Sequence, residues 1–432
     1  MSDQEPQSPQ SPNQNKKDAG QIFLEEAIAP PRQTTRGRRL LRSALIPFLA
    51  IFTGLLMGAI IIVLTTPEVY AAFRVSFVAG IKVAWETVAV AYGALFTGAF
   101  GVPSEIIAAF QSGDPQQIYI AIYPITESLV AATPYIFAGL SVALGFRAGL
   151  FNIGAEGQIF LGAIFAAFVG YSLKGLPMII HLPLAFLAGA VGGGLWGFIP
   201  GWLKAKTGAH EVINTIMLNY IAFRLSDWLL TGPMQRPGSA NPVSPTIMEA
   251  AKLPTFFGSP VRLHLGFIVA LLVAWLVHWF LFKTRWGFNL RTVGANPNAA
   301  RYAGINVFTG IVVAMSLAGA LAGMAGSNEV LGVNFNLAMA FSSGYGFDAI
   351  ALALLGNSTP LGVVLASLLF GALRNGATKM QLVAGIPIDI ISIVQAFVLV
   401  FAAAPIIIRT IYRLKQPTEA EEAVVAAGWG GK

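Results

Sequence analysis

The run 44-ALIPFLAIFTGLLMGAIIIVLT-65 decides the fold. It carries no charged residue and exceeds the roughly 20 apolar residues that cross the hydrocarbon core of a bilayer. Comparable runs recur along the chain. Hydrophobic residues make up 55% of the sequence and charged residues 11%, against about 25% charged in an ordinary soluble domain. A soluble chain of 432 residues has too little interior to hide that much apolar surface. Lipid removes the difficulty, so the sequence reads as an all-α polytopic membrane protein. The 46 glycines agree, because Gly is frequent in membrane helices and lets them approach closely.

Ten transmembrane helices are read, at about 44–65, 124–146, 152–172, 177–203, 211–231, 263–282, 306–327, 340–356, 360–377 and 386–408. The stretch 74–100 is apolar but holds Arg74, Lys82 and Glu86. It is taken as an extra interfacial or re-entrant helix, not a span. With both termini cytoplasmic, 17 of the 27 basic residues fall on inside segments and seven on outside ones, as the positive-inside rule asks. A true span at 74–100 would invert the later loops and turn Lys204, Lys206, Arg285, Arg291 and Arg301 outward. The transmembrane body is thus 44–412, between a basic tail at 1–43 and a second tail at 413–432. Residues 1–31, rich in Gln, Pro, Ser and Asn, and 416–432 read as disordered. No secretory signal is read ahead of the first apolar run.

Composition excludes several chemistries. There is no cysteine, so disulfides and thiolate metal sites are ruled out. His181, His210, His264 and His278 are scattered without metal-ligand spacing, so no metal and no cofactor is expected. The net charge of +7 sits beside hydrophobic segments and is explained by orientation in lipid; no nucleic-acid partner is implied. The chain has no G-x-x-x-x-G-K-[ST] run, no H-E-x-x-H and no G-x-S-x-G, so no catalytic residue is assigned. Energy from ATP would have to come from another subunit.

Four motifs carry polar groups where hydrocarbon is expected. In 149-GLFNIGAEGQIFLGA-163, Asn152, Glu156 and Gln158 stand between two apolar runs. An unpaired carboxylate there needs a partner, water or a cavity; a short turn capped by Asn152 is the competing reading. In 211-EVINTIMLNYIAFRLSDWLL-230, Asn214, Thr215 and Asn219 can tie neighbouring helices together, and Arg224 can pair with Asp227. In 283-KTRWGFNLRTVGANPNAARYAGINV-307, Asn296 caps a short helix with Pro297 at its first position and Gly304 at its end. It reads either as a docking helix or as a loop held by positive-inside charge. In 326-GSNEVLGVNFNLAMAFSSGYGFDAIALALLGNSTPLG-362, Asp348 follows a flexible Ser-Gly stretch. An intramembrane carboxylate is a functional candidate, and pairing of Asp348 with Arg374 is the alternative.

These motifs resemble the permeases of ABC importers in the branched-chain amino acid/ribose class, most of all the nucleoside-type permeases, over about 120–410. The resemblance implies an inner-membrane, multi-pass subunit that works with a second, related permease, cytoplasmic ABC ATPase subunits and an extracytoplasmic substrate-binding protein or lipoprotein. The region 294–305 is similar to the family's coupling region, which implies ATPase contact for Arg291, Gly294, Asn296, Ala299, Ala300, Arg301 and Gly304. Asn152, Gly154, Glu156 and Gly157 match the NIGAEGQ signature, and Asp348 the acidic position of GYGFDAIA. The expected substrate pathway is Asn152, Glu156, Gln158, Asn219, Phe347 and Asp348. The expected substrate is a nucleoside, with a simple sugar as the alternative. An ion-coupled secondary transporter with Glu156 and Asp348 as relay carboxylates is the reading from a different class.

Overall fold

The computed structural model describes residues 36–414, so most of the two tails, and the disorder read there, lies outside the described residues. The chain divides into two units, Met1–Ile46 and Pro47–Lys432. Of the first, residues 36–46 are described and are helical. The second holds the remaining helices and both polar sites.

The elements are α1 (Arg36–Thr65), α2 (Pro67–Val75), α3 (Phe77–Phe100), α4 (Pro103–Ser112), α5 (Pro115–Arg147), α6 (Ala155–Ser172), α7 (Met178–Thr207), α8 (Glu211–Thr231), α9 (Gly266–Lys283), α10 (Arg285–Ala295), α11 (Pro297–Tyr302), α12 (Val307–Asn328), α13 (Tyr345–Leu355), α14 (Pro360–Ala384), α15 (Asp389–Ala403) and α16 (Pro405–Ile411). α12 runs on into a π turn, Glu329–Asn334. The described residues include no β-strand, only two isolated antiparallel bridges, Val243 with Ala338 and Thr255 with His264.

Eight stretches among the described residues are long and apolar enough to cross a membrane. The difference from the ten expected has local causes. α8 forms over 211–231 as read, but Asn214, Asn219, Arg224 and Asp227 leave it less apolar than those eight. The span read at 340–356 is not one continuous helix. Residues 335–344 run irregularly to Gly344, whose φ of 88° starts α13, and α13 has only 11 residues. The span read at 386–408 breaks at Ala404–Pro405, because Pro has no N–H to continue the ladder.

The piece read for 74–100 is α3, preceded by α2 and followed by α4. Counted together, Phe77–Ser112 is one of the eight stretches long and apolar enough to cross. Its helices meet at Gly101, with φ 74°. That joint lies against the central turns of two long helices: Ser128 Oγ of α5 donates to Ala99 O at 2.8 Å and Asn375 Nδ2 of α14 to Gly98 O at 3.0 Å.

Close backbone contact builds the core. In α7, Gly189, Gly193 and Gly197 recur every four residues, as do Gly319 and Gly323 in α12. A Cβ on Gly193 would collide with Gly319 O, and one on Gly162 of α6 would collide with Gly323 Cα. Only small residues permit this approach, the small-xxx-small packing of membrane helices. α5 threads the same core, with Phe137, Leu140 and Val142 fully buried.

Candidate functional site

The first polar place is built where α13 begins. α13 and α6 meet N-terminus to N-terminus. A Cβ on Gly346 would collide with Glu156 N, and the Glu156 carboxylate accepts from Gly346 N at 2.6 Å. Glu156 therefore lies at the positive ends of two helices, a setting that favours an anion without a counter-ion. It is 3% exposed.

Two residues on, Asp348 Oδ2 accepts from the Tyr135 hydroxyl at 2.9 Å and stands 3.7 Å from Arg374 Nη1. Arg374 Nη1 also donates to the Tyr135 oxygen at 3.0 Å. Tyr135 and Tyr345 meet edge to face, with ring centroids 5.0 Å apart. Tyr135 is fully buried, whereas the Asp348 and Arg374 side chains keep 33% and 32% exposure and Phe347 keeps 46%.

The other expected pathway residues lie close by but are occupied. Asn152 and Gln158 bond each other twice, at 2.9 and 3.1 Å, and Asn152 Oδ1 also accepts from Gly154 N. Asn219 accepts from Gly157 N at 2.8 Å and donates to Ile153 O at 3.0 Å. All three are buried, so in this arrangement they join α6 to α8 and to the turn before α6. The structure thus brings Asn152, Glu156, Gln158 and Asn219 together around the start of α6. Only Phe347 and Asp348 of the expected set present an open surface.

The large loop between α8 and α9 clamps the segment that leads to α13. Ser244 N donates to Leu337 O, Leu253 N to Leu331 O, and Leu337 N to Ser244 Oγ, each at 2.8 Å. The loop is fixed to α5 by a two-pronged ion pair, Arg262 Nε to Glu127 Oε1 at 3.1 Å and Nη2 to Oε2 at 2.5 Å. The hydrogen bond from Arg262 to Glu127 raises the Arg262 pKa. Burial pushes His264 of the same loop down to about 4, helped by the Arg262 charge. Sequence reading missed Tyr135, Glu127 and Arg262, since their partners lie more than 100 residues away along the chain.

The second place is at the C-terminal end of α5, far along that helix from the loop's anchor at Glu127. Arg147, ending α5, donates to Ser358 O at 2.9 Å and Asn357 O at 3.0 Å. Arg147 and Arg291 lie over the Phe282 ring at 5.8 and 5.0 Å. Gly294 packs against the backbone of residues 147–149. From this base α11 projects. Asn296 Oδ1 caps it by accepting from Asn298 N and Ala299 N, at 2.9 and 3.0 Å, and Gly304 closes it with φ 75°. Ala300 is buried and pins the helix, while Asn296, Ala299, Arg301 and Gly304 are exposed. Tyr302, which sequence reading left unassigned, is 95% exposed.

Residues 125–403 match the family described as "Branched-chain amino acid transport system / permease component". The chain is 40% identical to the guanosine ABC transporter permease protein NupP of Bacillus subtilis, over 84% of this chain and 94% of that one. It is 32% identical to the nucleoside ABC transporter permease protein NupB of Lactococcus lactis, over 90% and 98%. It is 39% identical to the glucose ABC transporter permease protein TsgB13 of Haloferax volcanii, over 65% and 76%. No solved structure matches.

Proposed function

Because the chain belongs to the family of branched-chain amino acid transport permease components, we propose that it is the membrane subunit of an ATP-driven importer that carries nucleosides. The carrying observation is similarity along nearly the whole length to relatives named for guanosine and nucleosides. Glucose, named for a relative matched over a shorter share, is the second substrate reading.

In this reading cytoplasmic ATPases seat on α11. Its exposed Arg301 and Tyr302 offer a charge and an aromatic ring to a partner, and its base rests on the ends of α5 and α9 through Gly294, Arg147, Arg291 and Phe282. ATP-driven closure moves this base and opens the bundle alternately to either side. Only a difference in affinity between the two ATPase states can drive that shift. A second permease completes the pathway, and an extracytoplasmic binding protein delivers substrate to the α8–α9 loop side. Both termini lie in the cytoplasm, which requires Phe77–Ser112 to turn back at Gly101. The seating of that joint against the central turns of α5 and α14 supports this.

The test is uptake of labelled guanosine and glucose in cells that express the complete importer, against cells lacking this chain. Guanosine uptake that disappears with the chain and with ATP depletion, yet survives an uncoupler, is expected. Glucose uptake alone would overturn the nucleoside reading. Sensitivity to the uncoupler alone would favour ion coupling through Glu156 and Asp348.

A further inference from the structure

Inside the bundle two carboxyl groups are sealed. Glu156 and Glu329 are 3% and 6% exposed, and no ligand can reach them without rearrangement. The pair Asp348–Arg374 differs. It sits in the first turn of α13 and in the central turns of α14, beside the fully buried Tyr135 of α5. Tyr135 fixes both: its hydroxyl donates to Asp348 Oδ2 and accepts from Arg374 Nη1. Among the described residues, Asp348 Oδ1 and the Nε and Nη2 atoms of Arg374 have no hydrogen-bond partner, and none belongs to the sealed unpartnered atoms of the interior. Phe347, the preceding residue in the chain, is also exposed. A charged side chain facing hydrocarbon at mid-span costs about 2.5–3.5 kcal/mol on insertion scales. The open side of this pair therefore belongs to a watered pathway.

What the pathway meets there is a preset edge: a fork of N–H donors beside a carboxylate acceptor. We propose that Arg374 and Asp348 read the guanine ring of a purine nucleoside. Arg374 donates to O6 and N7, and Asp348 accepts from N1–H and the 2-amino group. Guanine carries acceptors and donors in that order along adjoining edges, and a guanidinium matches O6 and N7 in two bonds. Adenine places an amino donor where Arg374 needs an acceptor and a bare nitrogen where Asp348 needs a donor. Sites that hydrogen-bond a substrate reject an analogue lacking the group far better than apolar pockets reject a shape. Tyr135 acts as the positioning residue. The inference rests on the nucleoside reading above.

The test uses the assembled importer in nanodiscs, with ligand-induced thermal stabilisation by guanosine, 7-deazaguanosine and adenosine. The wild type is expected to prefer guanosine to adenosine, with 7-deazaguanosine between them. Asp348→Asn is expected to weaken guanosine about tenfold, the scale of one lost bidentate contact, and to leave adenosine unchanged. Arg374→Lys is expected to erase the difference between guanosine and its 7-deaza analogue. Equal weakening of guanosine and adenosine in these variants, or no preference in the wild type, overturns the assignment. Should either variant fail to fold, Tyr135→Phe carries the test: a narrowed guanosine-to-adenosine ratio is expected, and an unchanged ratio overturns it. Nucleoside uptake by cells with the wild-type importer reports separately on the function, so the two failures are distinct.

Discussion

Gly149 and Gly294 stand backbone to backbone. A Cβ on Gly294 would lie 2.6 Å from Arg147 O, and one on Gly149 would lie 2.8 Å from Gly294 Cα. The end of α5 and the end of α10 are thus in direct contact, and nothing larger than glycine fits between them. Gly294→Val must push α10 and α11 away from α5, an overpacking that costs about 1–3 kcal/mol. Melting temperature should fall modestly, whereas uptake driven by ATP should be lost. Normal uptake in this variant would sink the idea that α11 transmits force through this contact.

Arg301 and Tyr302 present the opposite case. Both are exposed, so Arg301→Glu and Tyr302→Ala should change stability by no more than about 0.5 kcal/mol. Copurification with the ATPase subunits should weaken strongly. Unaltered copurification at an unaltered melting temperature would show that the partner seats elsewhere.

The pair Glu127–Arg262 predicts an asymmetry. Glu127 keeps 7% side-chain exposure and Arg262 keeps 55%. Arg262→Ala leaves a carboxylate buried alone, which costs several kcal/mol in a sealed site and about 1–3 here, because Arg262 is half open to solvent. Glu127→Ala leaves only a half-exposed guanidinium, which water can serve. Thermal unfolding in detergent should rank Arg262→Ala below Glu127→Ala, with the double variant recovering part of the loss.

His264 gives a pH dependence. Its folded-state pKa lies at about 4 against 6.5 for a free side chain. The unfolded chain therefore binds the extra proton between these values and the folded chain does not. Stability is complete above pH 6.5 and falls progressively toward pH 4, by roughly 3 kcal/mol if nothing else titrates. His264→Gln should flatten that part of the profile, as read by melting temperature at stepped pH. An unchanged slope would assign the acid sensitivity to other groups.

Much of this architecture was legible in the sequence, and the limits have physical causes. Apolar runs announced the long helices, and Asn296, Pro297 and Gly304 announced α11 with its cap and stop, since those signals act within a few residues. The break before α13 was harder: 340–356 is apolar enough to span, but the backbone turns at Ala340, with φ 51°, and at Gly344, with φ 88°, and the helix starts only after them. The roles of Asn152, Gln158 and Asn219 needed the third dimension. Polar residues in hydrocarbon must find partners, but whether the partner is another amide or a passing solute is decided by what packs beside them. The same holds for Tyr135 with Arg374, paired across 239 positions.

The glycine seam between α7 and α12 has a mechanical consequence. Where peptide groups touch without side chains between them, there are no rotamers to switch. A Cβ built on Gly193 or on Gly319 would already lie 2.3 Å from the carbonyl oxygen facing it, so a small slide or roll presses backbone against backbone. Helices α6, α7 and α12 therefore behave as one stiff plate. Strain applied at its edge is shared across the three helices, and the irregular stretch 335–344 that leads into α13 has no helical ladder to resist bending.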